Sequence, residues 1–317
     1  MANPTRFPSA RTVGKTLLAT ALALSLAGCN WVVMAPSGDI AAQQADLILW
    51  STYLMLIIIV PVIVLTLMFA WRYRSSNKNA TYKPDWDHST NLELVIWAAP
   101  LAIIIALGAL TWVSTHKLDP YRPLDRIDAG KPVPEDMEPL VVEVVAMDWK
   151  WLFFYPEQGI ATVNELAAPV DRPIKFKITA TTMMNSFYVP ALAGMIYAMG
   201  GMETQLHAVI NEEGSYEGFS ANYSGAGFNK MRFEFLGQSE ADFAQWVADV
   251  KAQGSPLSRP AYKTLEKPSI DDPVRYYSEV MPGLYDAILN RCVDPGQVCM
   301  KDLMKSHHAH HGEGAAE

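Results

Sequence analysis

Two long apolar stretches set the first limit on what this chain can fold into. Residues 47–71 (LILWSTYLMLIIIVPVIVLTLMFAW) carry no charge, and residues 92–113 (LELVIWAAPLAIIIALGALTWV) carry only Glu93. A bilayer core takes roughly 20 helical residues, so each run is long enough to span it. Pro61 and Pro100 fall inside the runs. Membrane helices tolerate proline because neighbouring groups re-satisfy the freed backbone. Trp50, Trp71, Trp97 and Trp112 sit near the ends, where interfacial belts form. Charged residues are 18% of the chain, against about 25% in an ordinary soluble domain.

Charge sets the orientation. Arg72, Arg74, Lys78 and Lys83 lie between the runs, while residues 29–46 hold no Lys or Arg. Basic loops stay in the cytoplasm. Residues 72–91 are therefore predicted cytoplasmic, between spans at 47–71 and 92–114, with residues 29–46 and the rest of the chain in the periplasm. Residues 1–28 read as an export signal. Arg6, Arg11 and Lys15 precede TLLATALALSLAG, which is too short to span. Leu26, Ala27, Gly28 and Cys29 have the form of a bacterial lipoprotein box, which predicts a lipid anchor at Cys29. The lipid bilayer is thus one partner. A net charge of −8 without a long basic run argues against nucleic acid as another.

Glu93 has two readings. An ionisable group in a membrane helix is a functional candidate by default. Thr90, Asn91, Leu92 and Glu93 also have the form of a capping box, in which the glutamate satisfies an N–H at the helix start. Spacing leaves both open.

After the second span the period changes. Residues 139–156 (PLVVEVVAMDWKWLFFYP) are β-branched and aromatic, and read as one strand with Trp149 and Trp151 on a common face. Ile174, Phe176 and Ile178 alternate with Lys175 and Lys177. Glycine-broken strands follow to residue 237, which implies a β-sandwich or barrel. Residues 239–254 return to a helical period: Ser239 and Asp242 suggest a capping box, and Phe243, Trp246, Val247 and Val250 share a face. A shorter helix is predicted over 283–291, so residues 238–292 form a helical extension. Cys292 and Cys299 enclose Pro295 and Gly296 in a small loop that export leaves free to close as a disulfide. Two cysteines are too few for a structural zinc site. The tail, residues 293–317, contains HHAHHGEG and reads as a solvated terminus with weak metal-binding capacity.

Residues 220–231 (SANYSGAGFNKM) have the rhythm of a metal-binding loop, yet hold no Cys, His, Asp or Glu. This loop, the second span (HSTNLELVIWAAP) and the segments MDWKWLFFYPEQGIATVNELAAP and MNSFYVPALAGMIYAMGGMETQLH resemble subunit II of the haem–copper terminal oxidases. The resemblance covers nearly the whole exported chain. It implies a two-helix transmembrane hairpin plus an all-β, cupredoxin-like periplasmic sandwich (residues 115–237) with the C-terminal helical extension. In the cytochrome c oxidases of this family the loop carries Cys-x3-Cys-x3-His-x2-Met, and a second histidine comes from an earlier strand. Together they hold a binuclear copper centre. Here the cysteine positions are Ser220 and Ser224, the histidines are Phe228 and Asn185, and the carbonyl-ligand position is Asn222; only Met231 is kept. Bridging copper takes soft thiolates, with imidazoles completing each site. No metal is therefore expected in this chain, and Met231 reads as a core filler.

The chain accordingly looks most like the quinol-oxidase branch, the cytochrome bo-type ubiquinol oxidases. That likeness implies a subunit of a proton-pumping respiratory enzyme. Haems, copper and ubiquinol oxidation then belong to a large partner, subunit I, beside further small membrane subunits. Cytochrome c is not expected as donor, and the location implied is a bacterial inner membrane. Glu93, Trp97 and Pro100 match the family's glutamate–tryptophan–proline pattern, whose glutamate lies at the cytoplasmic mouth of a proton channel. The alternative from another class is a membrane-anchored periplasmic lipoprotein, serving as a scaffold or binding module.

Overall fold

A computed structural model of the chain describes residues 31–81 and 83–304. The predicted export signal, Cys29 and the histidine-containing end of the tail lie outside the described residues. Helices α1 (Asp39–Arg72) and α2 (Thr90–Lys117) contain the two apolar runs and pack against each other. Both run through their prolines. Their side chains stay open in the isolated chain, with Leu67 at 66% and Leu94 at 68% exposure. An apolar surface of that extent requires lipid or other helices to cover it.

Helix α1 begins at Asp39, ahead of the predicted span at residue 47. Ala41, Ala42, Gln43, Gln44 and Ala45 have good helix propensity but little hydropathy, so they extend the helix without extending the apolar run. Their small faces dock on the periplasmic domain, where Ala41 and Ala45 are buried. Just before them the N–H groups of Ser37 and Gly38 donate to the Ala191 carbonyl at 3.1 and 2.9 Å. Asp39 is buried and receives two bonds from Arg126, at 2.8 and 2.9 Å. Gly38 is required here, because a Cβ would lie 2.5 Å from the Val209 carbonyl oxygen.

Past the membrane, β1 (Arg126–Asp128) and β2 (Lys131–Pro132) form a short ribbon. The sandwich follows as β3 (Leu140–Met147), β4 (Lys150–Tyr155), β5 (Ile160–Val163), β6 (Glu165–Pro169), β7 (Ile174–Ala180), β8 (Asn185–Tyr188), β9 (Ile196–Ala198), β10 (Thr204–Ala208), β11 (Gly214–Ser220) and β12 (Arg232–Gln238). Then come α3 (Glu240–Gln253), β13 (Ser255–Leu257), α4 (Arg259–Leu265), β14 (Arg275–Val280) and α5 (Leu284–Leu289). One sheet has the order β10-β7-β3-β4-β5-β14-β13, and the facing sheet β6-β12-β11-β8-β9. The alternation in β7 behaves as expected: Ile174, Phe176 and Ile178 are buried between the sheets, and Lys175 and Lys177 face outward. Trp151, Phe153 and Tyr155 of β4 meet Phe187, Phe233 and Phe235 in that core.

The predicted single strand at 139–156 is two strands. Met147 pairs with Lys150, so Asp148 and Trp149 form the turn of a hairpin. Trp149 has φ 66, which a bulky residue seldom adopts. Trp149 and Trp151 therefore do not share a strand face by alternation. Trp151 is fully buried in β4, and Trp149 lies in the turn.

The extension holds the predicted helices and also adds strands. Strand β14 pairs with β5, and β13 with β14. Helices α4 and α5 cover the outer face of the larger sheet, packing Tyr262, Leu265, Tyr285 and Ile288 against Val145, Leu152 and Phe154. Both faces of β4 are thus buried, so its sequence KWLFFY lacks polar alternation. In α3 the Ser239 hydroxyl accepts from the Asp242 N–H at 3.1 Å and donates to the Asp242 carboxylate at 2.7 Å. The capping box is therefore closed through the hydroxyl instead of the Ser239 backbone N–H. Phe243, Trp246 and Val250 form the buried face of this helix, with Val247 half-buried beside them.

Candidate functional site

The loop at 220–231 starts where β11 ends and returns to β12. The fold brings Asn185, Ser220, Asn222, Ser224, Phe228 and Met231 together there. Asn185 opens β8, which pairs with β11, so its side chain meets the start of the loop. The Ser220 hydroxyl donates to Asn185 Oδ1 at 3.1 Å and to the Asn222 carbonyl at 3.3 Å. Asn185 Nδ2 donates to the Met183 carbonyl, and Asn222 Nδ2 to the Met184 carbonyl, both at 3.1 Å. Ser220 N–H donates to the Met231 carbonyl. Phe228 opens a short 3-10 turn and packs edge-on against Tyr223. Met231 is fully buried in the core.

Trp149 closes the loop from outside. Its indole N–H donates to the Ser224 carbonyl at 3.0 Å. Its ring lies where a Cβ at Gly227 would fall, so Gly227 admits it and any larger residue would overlap it. Sequence reasoning placed Trp149 on a strand and missed this wedge; Gly225 and Gly227 opposite an aromatic were the available clue.

The chemistry of the loop follows from its donors. A binuclear copper site takes two bridging thiolates and two imidazoles. Hydroxyls, amides and a phenyl ring stand at those positions, and the one soft donor, Met231, is packed in the core. The residues do not fit such a centre. Among the described residues, no group of three or more His, Cys, Asp or Glu is placed to hold a metal.

Glu93 stands in the first turn of α2, exposed in the isolated chain. The predicted capping box with Thr90 does not form. The N-cap is Ser89, which leaves Glu93 one position beyond the box glutamate, and its N–H donates to the Ser89 carbonyl at 2.9 Å. Its carboxylate instead meets His88 Nδ1 at 2.7 Å. His88 was present in the matching motif but its pairing was not read from spacing.

A second polar cluster, which sequence reasoning missed, ties the extension to the hairpin below the loop. Lys150 Nζ, with its side chain 1% exposed, donates to the Lys267 carbonyl at 2.8 Å and to Ser269, and lies 3.4 Å from Asp272 Oδ2. Asp272 also accepts from Ser269 at 2.6 Å and twice from Arg275, at 2.6 and 3.0 Å. Burial pushes the Lys150 ammonium below its ordinary pKa, against the pull of Asp272. Burial also pushes the Asp272 carboxyl up, but the bonds from Ser269 and Arg275 outweigh it and bring it below the usual carboxylate range. Lys230 of the loop lies 3.6 Å from Asp271 on the same arm. Farther along, Cys292 and Cys299 are joined as a disulfide, with Cα atoms 4.9 Å apart.

Residues 156–234 match the family model for the periplasmic domain of cytochrome c oxidase subunit II, and residues 251–296 match the COX aromatic-rich motif. The chain is 51% identical over 268 residues to the cytochrome bo(3) ubiquinol oxidase subunit 2 of Pseudomonas putida, covering 84% of this chain and 82% of that one. It is 49% identical over 267 residues to the ubiquinol oxidase subunit 2 of Acetobacter aceti, covering 84% of each. The solved periplasmic domain of subunit II of cytochrome oxidase from Bradyrhizobium japonicum aligns at 21% identity with a TM-score of 0.35, over 36% of this chain and 94% of that one.

Proposed function

The chain belongs to the ubiquinol oxidase subunit 2 family, and from that premise we propose that it is the subunit of its complex that carries no electrons. It is subunit II of a respiratory ubiquinol oxidase, a membrane enzyme whose reaction takes two quinols and O2 to two quinones and two waters. In this reading ubiquinol reduces a haem in the large haem–copper subunit I. Oxygen is reduced in that partner, and cytochrome c is not a donor. The present chain supplies the two-helix interface, the periplasmic cap and a proton-uptake carboxylate.

One observation carries the reading. Of the positions that would bring a thiolate or imidazole to the loop at 220–231, Ser220 donates to Asn185, Phe228 packs on Tyr223, and Ser224 is buried with its hydroxyl unpartnered among the described residues. The loop keeps its shape through Ser220, Asn185 and Trp149, with no metal needed to close it. Electrons arriving from the periplasm would find no acceptor there. Proton uptake rests on Glu93. Two spans followed by a periplasmic domain put its end of α2 on the cytoplasmic side. An exposed carboxylate beside His88 takes protons from bulk water and hands them toward the large subunit.

The test is metal analysis of this subunit, separated from its partners and exposed to Cu(II). The expected result is no stoichiometric copper at the loop. Two tightly held coppers per chain would overturn the reading.

A further inference from the structure

We propose that the cytoplasmic turn between α1 and α2 holds the headgroup of an anionic phospholipid. The turn encloses an open cleft of about 1200 Å³, lined by Phe69, Tyr73, Arg74, Lys78, Lys83 and Trp86 among others. Its floor is the last apolar turn of α1, and its walls are basic and aromatic. Trp71 and Trp86 are 70% and 61% exposed, as aromatic side chains are at the headgroup level of a bilayer. The cleft therefore opens where acyl chain and headgroup meet.

The cations are set for a phosphodiester. Arg74 is held in place: Nη1 donates to the Trp71 carbonyl at 2.7 Å, Nε donates to Ser76 Oγ at 3.0 Å, and the guanidinium stacks over the Trp71 ring at 4.8 Å. Among the described residues Nη2 has no acceptor, and its hydrogens are left for a phosphate oxygen. Asn77 ties the turn back to the helix by donating to the Arg72 carbonyl at 2.6 Å. Among the described residues, none of Arg72, Arg74, Lys78 and Lys83 forms an ion pair. In residues 72–91 these four cations outnumber the two carboxylates, Asp85 and Asp87. A fixed guanidinium gives directed donors to phosphate, and the two lysines add point charge. A zwitterionic lipid brings an ammonium into the same field and loses that gain. A cationic cleft on the cytoplasmic side thus selects anionic headgroups.

The experiment uses the intact oxidase in nanodiscs of phosphatidylcholine containing 20% phosphatidylglycerol. Lipids retained through graded detergent washing are counted by native mass spectrometry. The wild-type complex is expected to keep one more phosphatidylglycerol than the Lys78→Gln/Lys83→Gln variant. Apparent affinity for that lipid should fall about 25-fold in the variant, about five-fold for each charge removed. Both lysines are exposed, so the variant keeps its fold, which unchanged haem content verifies. Lys131→Gln, on the periplasmic side, should leave retention unchanged. Equal retention by wild type and variant would overturn the proposal, as would equal retention of phosphatidylcholine. Displacement of the retained lipid by millimolar inorganic phosphate would mean that the cleft reads free phosphate and would also overturn it.

Discussion

Replacing Lys150 with methionine tests how the C-terminal extension is held to the sandwich. Methionine fills the volume of the lysine stem, so little cavity is left. What is lost is the buried ammonium, with its bonds to the Lys267 carbonyl and Ser269 and its attraction to Asp272. Removing one partner of a buried ion pair costs about 3–5 kcal/mol. Asp272 keeps Ser269 and the two bonds from Arg275, which places this change near the lower bound, about 3 kcal/mol. For a domain of this size each kcal/mol moves Tm by about 2–4 °C, so the shift is about 6–12 °C downward. Thermal unfolding of the purified complex, followed by tryptophan fluorescence, measures it. Hydrogen exchange should show β14 and the arm before it opening first. A second variant guards the interpretation: adding Asp272→Asn to Lys150→Met removes both buried charges and should recover about half of the loss. A Lys150→Met shift under about 2 °C, or strictly additive effects in the double variant, would refute the account of the cluster.

Glu93→Gln in the assembled enzyme should lower oxygen turnover on the order of ten-fold or more at unchanged haem content, with Glu93→Asp retaining much of it; normal oxygen uptake would remove Glu93 from the proton path. Gly227→Ala forces a methyl into the Trp149 indole and should cost about 1–3 kcal/mol, seen as a lower Tm that Trp149→Ala partly restores. The Asp272 carboxyl is lowered in the folded state, so its contribution is complete above about pH 4, the unfolded carboxylate pKa. That contribution is lost as pH falls through the folded value. Asp272→Asn should therefore flatten the stability profile on the acid side of about pH 4, as measured by unfolding across a pH series.

The features written in local pattern were legible. Apolar length gave the two long helices, and strict alternation gave β7. What escaped depends on tertiary partners. The two strands of the extension are short, and β14 is a strand because β5 offers it an edge, which no residue within RYYSEV announces. The turn at Asp148 and Trp149 has one usual turn residue, Asp148, but puts a tryptophan at positive φ and is held by a loop some 75 residues away. Glu93 fits a capping box by spacing, but the helix starts at Ser89 and shifts it out of register. The loop at 220–231 was readable for a different reason. Its residue types exclude soft-metal chemistry whatever the geometry, and the fold adds how the Ser220 hydroxyl, two amides and an indole hold it closed. Lys150 gave no warning, because a lysine in an aromatic strand is identified as buried only once the arm that covers it is seen.

The electron donor tests the central claim most directly. Oxygen uptake by the purified complex, measured with ubiquinol and with reduced cytochrome c in parallel, should proceed with the quinol and stay at background with the cytochrome. Turnover driven by cytochrome c at a rate comparable to quinol would contradict the account, since the loop at 220–231 would then have to carry electrons that its side chains cannot accept.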